Sequence, residues 1–332
     1  MRVLVAPDKL RGTATARQAA AALAAGVADA GGIADACPLS DGGEGFLDAL
    51  GGGTTVTRAT DPLGRAIDVP WRLDGNTGVI ETALASGLAL LDRPGPAEAE
   101  AASSAGSGEV IAAALRAGAR RILVGVGGSA FSDGGRGALA ALADLTPFPP
   151  DVRVIVACDV RTPYLDAARV YGPQKGADPP AVERLTRALA DYATQLQTRY
   201  GRDVRQVAGA GAAGGLAGAL YAAGATLPSG FGIVAELVGL RERVAAADLV
   251  LTAEGRLDAT SLSGKVVGGV LELAAAAGRP VAVIAGSVAP GLAVADATIV
   301  DLSAQFGAET AWSRTADCLR SAAREHVTAA RG

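Results

Sequence analysis

The feature that most constrains the fold is a predicted strand, glycine loop and helix around residues 122–137, which read ILVGVGGSAFSDGGRG. The Ile, Leu and Val run predicts a short buried strand, and a helix is expected to follow at residues 137–144. A glycine loop between a strand and a helix directs backbone N–H groups at an anion, usually a phosphate. Asp133 lies inside this loop, where a carboxylate suits Mg²⁺ or a substrate hydroxyl. The arrangement therefore indicates phosphoryl transfer.

The composition excludes several classes of function. With 332 residues, half of them hydrophobic, the chain should form one large or two medium domains. A net charge of −4 and 4% aromatic residues argue against nucleic acid as a partner. Three separated cysteines support neither a disulfide framework nor a zinc site, and fit a reducing cytoplasm. The apolar start is too short for a signal peptide, and the uncharged stretch 206–235 is too rich in glycine to span a membrane.

Alternating apolar runs and turn residues predict an α/β protein. Strands are predicted at residues 3–6, 34–39, 54–60, 67–73, 79–82, 122–126, 152–157, 247–251, 281–285 and 298–300. Helices are predicted at residues 16–30, 46–50, 106–117, 137–144, 180–200 and 266–276, the first of them capped by Thr15.

The spacing of these elements predicts two domains. The βα pieces at residues 1–52 and 236–332 would together make a five-stranded doubly wound sheet. Residues 53–235 begin with short strands joined by turns, which suggests antiparallel hairpins in an inserted domain with a mixed sheet.

Acidic residues follow the predicted strands or lie in glycine turns. They are Asp8, Asp41, Glu44, Asp133, Asp159, Glu254 and Asp258. Because ligands bind beyond the carboxyl ends of parallel strands, we expect Asp8, Asp41 and Glu44 to share one rim of the sheet. The only histidine, His326, falls in a polar C-terminal helix. Any general base is therefore expected to be a carboxylate or a lysine.

Several motifs also have ordinary explanations. Gly-x-Gly-x-x-Ala/Gly patterns at 125–130 and 209–214 fit a loose dinucleotide fingerprint, but each is weak in a chain with 45 glycines. Lys265 is either an exposed helix lysine or a cation that faces a phosphate. The segment 252–258 is predicted to be a loop after a strand, and is either a site or a plain polar loop with an internal ion pair.

Taken together, the motifs resemble the type I glycerate kinases, in family order and over nearly the whole chain. The matching segments are Ala6-Pro7-Asp8, Ser40-Asp41-Gly42-Gly43-Glu44-Gly45, Gly127-Gly128-Ser129-Ala130, Asp133-Gly134-Gly135, Ala157-Cys158-Asp159-Val160, Tyr171-Gly172-Pro173-Gln174-Lys175-Gly176-Ala177, residues 209–215, Glu254-Gly255-Arg256-Leu257-Asp258 and Gly264-Lys265. The resemblance implies a flavodoxin-like domain carrying an inserted domain, with the active site in the cleft between them. It also implies ATP-dependent phosphorylation of D-glycerate.

The chain departs from this family at three places. Lys9 and Arg11 stand where the family usually has Ser and Lys, which keeps a cation but changes its hydrogen-bonding geometry. Ala253 replaces a usual glycine, and the segments after Asp144 and Asp159 are shorter than usual.

From the motifs and the resemblance we expect the following site. The predicted catalytic residues are Asp41, Asp133, Lys265 and Arg256, with Asp41 preferred as base. Predicted substrate-binding residues are Asp8, Lys9, Arg11, Glu44, Ser129, Gln174 and Lys175. Predicted nucleotide-binding residues are Gly127, Gly128, Gly134, Gly135, Gly211, Gly214, Glu254 and Gly264. The predicted Mg²⁺ ligands are Asp133, Asp159 and Asp258.

The expected function is therefore a cytoplasmic, Mg²⁺- and ATP-dependent kinase for the small molecule D-glycerate, with neither a nucleic-acid nor a membrane partner. The expected product is 2-phosphoglycerate, with 3-phosphoglycerate as the alternative, and a homodimer is compatible with the sequence. Three rival interpretations stay open. They are a kinase for a related hydroxy acid, a Rossmann-type dehydrogenase and a ligand-binding regulator without catalysis.

Overall fold

The computed structural model describes residues 1–331, which form two five-stranded sheets with helices packed around them. The strands are β1 (Arg2–Val5), β2 (Ile33–Ala36), β3 (Thr55–Thr60), β4 (Ala66–Asp74), β5 (Thr77–Glu81), β6 (Arg121–Gly125), β7 (Arg153–Ala157), β8 (Leu249–Leu257), β9 (Val281–Val288) and β10 (Ala297–Asp301). The α-helices are α1 (Ala16–Asp29), α2 (Phe46–Ala49), α3 (Thr82–Ser86), α4 (Pro96–Ala101), α5 (Ala105–Arg116), α6 (Arg136–Ala141), α7 (Ala167–Tyr171), α8 (Pro179–Tyr200), α9 (Leu216–Ala222), α10 (Gly230–Leu237), α11 (Leu240–Ala246), α12 (Val266–Ala276), α13 (Leu302–Phe306), α14 (Ala308–Ser313) and α15 (Thr315–Arg331). None of the helices within residues 1–331 has both the length and the apolar character needed to cross a bilayer.

The first compact unit contains the fully parallel sheet. It comprises Met1–Asp41, Asp48–Leu50 and the chain from Phe231 onward. Its strands lie in the order β10-β9-β8-β1-β2 and all pairs are parallel. Numbered within the unit, this order is 2-1-3-4-5, the flavodoxin-like arrangement. The predicted flavodoxin-like doubly wound sheet is confirmed.

Helix α1 shows how the local sequence builds this unit. Thr15 caps the helix as predicted, because its side chain accepts from the N–H of Gln18 while the Gln18 side chain accepts from the N–H of Thr15. Gly26 lets α15 approach closely, since a Cβ at this position would lie 2.2 Å from the carbonyl oxygen of Arg320. Leu23 and Leu319 are then fully buried between the two helices and the sheet.

The second unit contains the mixed sheet and comprises Gly42–Leu47 and Gly51–Gly230. The order is β3-β4-β5-β6-β7, with antiparallel β3–β4 and β4–β5 pairs and parallel β5–β6 and β6–β7 pairs. Asp61 closes the predicted turn between β3 and β4, because its buried carboxylate accepts from the N–H groups of Leu63 and Arg65. The predicted mixed sheet in a second α/β unit is confirmed.

One predicted boundary is wrong, and it matters for the site. The sequence predicts that the eighth strand ends at Leu251 and that residues 252–258 form a loop, whereas β8 continues to Leu257. The polar residues 254–256 look like a loop in sequence, but Arg256 and Leu257 pair with Ser287 and Val288 of β9. Pairing with a neighbouring strand thus extends β8 through a segment of low strand propensity.

Candidate active site

In the first unit, β1 and β8 lie side by side at their carboxyl ends. The N–H of Asp8 donates to the carbonyl oxygen of Ala253 at 2.8 Å, and the Thr252 hydroxyl donates to that of Ala6 at 2.8 Å. The chain passes from β1 to β2 on one side and later returns to β8 on the other, so the strand order reverses between β1 and β8. Ligands of open α/β sheets bind at such a switch point.

Two carboxylates with raised pKa values lie at this switch point. Burial, with repulsion from Asp41, raises the pKa of the Asp8 carboxyl to about 6 against the opposing charge of Lys9. Burial also raises the pKa of the Glu254 carboxyl to about 7, and repulsion from Asp8 adds to this effect. Oε1 of Glu254 is buried and has no hydrogen-bond partner within residues 1–331. A carboxylate with a pKa near 7 and an unused oxygen is suited to accept a proton.

Two cations, Arg256 and Lys265, follow Glu254 along the chain. Lys265 is the N-cap residue of α12, and its charge opposes part of the rise in the pKa of both Asp8 and Glu254. Gly264, just before it, has φ +71°, and no other atom lies within 4 Å of the position that a Cβ would occupy there. Arg256 is exposed at the end of β8. The N-terminus of a helix and its neighbouring cations together favour an anion such as a phosphate.

In the second unit, the carboxylate of Asp133 accepts hydrogen bonds from its own loop and from Ser104, at the start of α5. Its Oδ2 accepts from the N–H and hydroxyl of Ser104 and from the N–H of Gly137, and its Oδ1 accepts from the N–H of Gly135. Two N–H groups at the end of the predicted phosphate loop, those of Gly135 and Gly137, therefore face this carboxylate. Ser104 is not among the residues predicted for the site, although two serines before α5 are a recognisable helix-start signal.

The predicted nucleotide-binding glycines of the second unit are in close contact with protein atoms. The N–H of Gly134 donates to the carbonyl oxygen of Gly214, so the two glycine loops pack on each other. A Cβ at Gly214 would lie 2.1 Å from the carbonyl oxygen of Phe131, and one at Gly211 would lie 2.4 Å from that of Pro163. Gly127 and Gly128 pack against the turn at Gly43-Glu44, and Gly135 packs against Leu216 and Ala219. The expected positive φ angles are present at Gly128, Gly134 and Gly135.

Lys175 is a buried lysine beside the central glycine loop. Its ammonium nitrogen donates to the Ser129 hydroxyl at 3.0 Å and to the carbonyl oxygen of Phe131 at 2.5 Å. Burial lowers its pKa to about 7, and the charge of Asp133 opposes this shift. The structure therefore brings the predicted residues Ser129 and Lys175 together, and the hydroxyl of neighbouring Ser132 is buried without a hydrogen-bond partner in the described residues.

The remaining predicted residues are distributed over both units. Gln174 is exposed on the second unit, and Glu44 lies over Gly128 there. Asp159 accepts from the Ser229 hydroxyl and the N–H of Gly230 at 2.8 Å each.

In the first unit, Asp258 caps a short 3₁₀ turn by accepting from Thr260. Lys9 and Arg11 belong to the segment that follows β1. In residues 1–331, no group of three or more His, Cys, Asp or Glu side chains is arranged to hold a metal ion.

Comparison with known proteins identifies the family. The profile of the Glycerate kinase family matches residues 3–146 and 140–331, which together span nearly the whole chain. The chain belongs to the glycerate kinase family. It is accordingly an ATP-dependent small-molecule kinase.

Individual relatives agree with this assignment. A glycerate 2-kinase from Escherichia coli K12 is 35% identical over 336 residues, covering 89% of this chain and 87% of the relative. An uncharacterized protein of Mycobacterium tuberculosis CDC 1551 is 45% identical over 302 residues, covering 87% of this chain and 79% of the relative. The crystal structure of a proposed glycerate kinase 2 from Salmonella typhimurium LT2 superposes with a TM-score of 0.82 at 33% identity, covering 100% of this chain and 98% of that one.

Proposed function

We propose that this kinase transfers the γ-phosphate of ATP to a hydroxyl of D-glycerate at the carboxyl end of the parallel sheet, and that the product is 2-phosphoglycerate. The proposed position of the active site rests on one observation, the pair of carboxylates Asp8 and Glu254 at the switch point between β1 and β8. Membership of the glycerate kinase family supports glycerate as the substrate. The name glycerate 2-kinase of the Escherichia coli relative supports phosphorylation of the 2-hydroxyl.

In this proposal Glu254 is the general base. The hydroxyl proton of glycerate passes to the Glu254 carboxylate while the hydroxyl oxygen forms a bond to the γ-phosphorus. The bond between that phosphorus and the oxygen bridging to the β-phosphate breaks, and ADP leaves with the electron pair. Lys265 and Arg256 neutralise the charge that spreads over the phosphoryl oxygens.

We prefer Glu254 over Asp41 and Asp133 for a physical reason. A base works best when its pKa lies near the working pH, and burial brings the pKa of Glu254 to about 7. Asp133 already accepts four hydrogen bonds, two from Ser104 and two from its own loop, which leaves little capacity for a substrate proton. The roles first predicted for Asp41 and Asp133 thus give way to Glu254 in this proposal.

The residues present fit a Mg²⁺ ion that accompanies ATP. Mg²⁺ in kinases is usually held by one or two carboxylates together with substrate phosphates. Asp8 and Asp41 are near enough for the charge of Asp41 to raise the pKa of Asp8, and these two would hold the ion. When bound, Mg²⁺ would neutralise phosphate charge. We prefer this pair to Asp133 and Asp159, which belong to the second unit, and to Asp258, which caps the 3₁₀ turn after β8. The predicted site in a cleft between two domains stays a prediction.

The test is to incubate the pure protein with ATP, Mg²⁺ and D-glycerate and to record proton-coupled ³¹P spectra. We expect a doublet, because the phosphate of 2-phosphoglycerate sits on a carbon with one hydrogen. A triplet would identify 3-phosphoglycerate and overturn the proposed product. Parallel reactions with L-glycerate and other small hydroxy acids measure ADP release. Faster turnover of another acid than of D-glycerate would overturn the proposed substrate.

A further inference from the structure

A cavity of about 420 Å³ lies at the carboxyl ends of β1, β8 and β9 in the first unit. Small-molecule sites typically occupy about 300–1,000 Å³. Its wall is formed by the segment after β1, by the last residues of β8 and β9, and by α14. The function argued above uses only Arg256 from this wall.

The lining of the cavity has two kinds of chemistry. Trp312 of α14 forms one wall, is 65% exposed, and lies over Gly12, where a Cβ would be 2.9 Å from its ring. Arg11 and Arg256 bring positive charge, and Ser287 brings a hydroxyl. An accessible indole with two nearby guanidinium groups fits a ligand that has a flat π-system at one end and negative charge at the other.

Two of the residues that line the cavity are glycines at which neighbouring segments approach closely. Gly255 of β8 and Gly286 of β9 lie on adjacent strands, and a Cβ on Gly286 would come within 2.5 Å of the carbonyl oxygen of Gly255. A Cβ on Gly255 would lie 3.1 Å from the backbone nitrogen of Arg11. The two glycines therefore allow β8, β9 and the segment after β1 to pack closely together along this side of the cavity.

The cavity adjoins the acidic cluster along the chain. Glu254 immediately precedes the lining residues Gly255 and Arg256, and Asp8 precedes Leu10 and Arg11 by a few positions. A ligand seated against Trp312 can therefore extend its charged end toward the switch point without leaving this rim of the sheet.

We propose that this cavity is the nucleotide subsite of the kinase, in which the adenine ring stacks on Trp312 and the phosphates extend past Arg256 toward Lys265. The inference rests on the proposed site at the carboxyl end of the parallel sheet. It adds Trp312 as a binding residue that sequence analysis missed, because a lone tryptophan near the C-terminus carries no recognisable motif.

The test is calorimetric binding of ADP and of inorganic tripolyphosphate, both without glycerate, to the wild type and to four variants. Stacking on an aromatic ring typically contributes a tenfold or greater change in affinity when the ring is removed. We expect Trp312→Ala to lower the affinity for ADP about tenfold and to leave the affinity for tripolyphosphate unchanged. We expect Trp312→Phe to recover most of the affinity for ADP. We expect Arg256→Ala to lower the affinity for both probes. Arg116→Ala, which removes an exposed arginine of α5, is the control and should lower neither affinity.

The proposal is overturned if ADP does not bind the wild type or if Trp312→Ala leaves the affinity for ADP unchanged. It is also overturned if Trp312→Ala lowers the affinity for tripolyphosphate as much as that for ADP. Steady-state kinetics separate this inference from the proposed function. If the subsite is correct, Trp312→Ala raises KM for ATP about tenfold with little change in kcat. Wild-type phosphorylation of glycerate with an unchanged KM in Trp312→Ala would overturn the subsite alone. Trp312-dependent ADP binding without any glycerate turnover would overturn the proposed function alone.

Discussion

Replacing Glu254 by glutamine should destroy activity and yet stabilise the folded protein at alkaline pH. The folded structure raises the pKa of this carboxyl from the ordinary 4.5 of a glutamate to about 7. Between these two values the folded protein retains a proton that the unfolded chain releases. The free energy of unfolding therefore falls as pH rises through this window, and the loss is complete above pH 7.

The magnitude follows from the pKa values. Each pKa unit corresponds to about 1.4 kcal/mol, so ionising Glu254 in the folded protein costs about 3 kcal/mol at most. Glutamine keeps the shape and removes the ionisation. The free energy of unfolding of Glu254→Gln minus that of the wild type should therefore increase by about 2–3 kcal/mol from pH 5 to pH 8. The same substitution should lower kcat by about 10²–10⁴-fold, since the base is gone.

Urea unfolding at pH 5 and pH 8 measures this effect. Trp71 lies in the second unit and Trp312 in the first, so a Trp71→Phe background makes tryptophan fluorescence report on the unit that contains Glu254. Glu272→Gln, at an exposed glutamate of α12, is the matched control and should show no pH-dependent gain. If the stability difference between Glu254→Gln and the wild type is the same at both pH values, the raised pKa is refuted.

Four further outcomes are expected. For the wild type, kcat/KM should fall as pH decreases below about 7, because Glu254 must be ionised to accept a proton; a flat profile from pH 5 to pH 8 would contradict its role. Lys265→Ala should lower kcat/KM by about 10²-fold in steady-state assays, and wild-type kinetics would make Lys265 a plain surface lysine. Asp133→Asn should lower the free energy of unfolding by about 2 kcal/mol or more, since the amide nitrogen cannot accept the hydrogen bonds made to one of the two carboxylate oxygens; an inactive variant of normal stability would instead favour Asp133 as base. Turnover should cease with EDTA and return with Mg²⁺, and full activity in metal-free buffer would exclude the proposed role of the ion.

Most of the secondary structure could be predicted from the sequence because the signals that start, end and orient helices and strands lie within a few neighbouring residues. Helix α12 has the bounds that were predicted, and α1 begins at the predicted cap Thr15, since capping and apolar spacing act within a few residues. The failure at β8 has the opposite cause. Its last residues are polar and contain glycine, and only the pairing with β9 makes them a strand.

The candidate site depended on contacts that sequence could indicate but not place. Acids at strand ends were recognisable, and glycine patterns together with these acids pointed to a phosphoryl-transfer family. Tertiary structure decided which acid is chemically suited to be a base. The carboxylate of Asp133 accepts hydrogen bonds from Ser104 and from its own loop. In contrast, β1 and β8, which come from opposite ends of the chain, bring Asp8 beside Glu254. The raised pKa of Glu254 and the wall formed by Trp312 arise from burial and long-range packing, which no local pattern specifies.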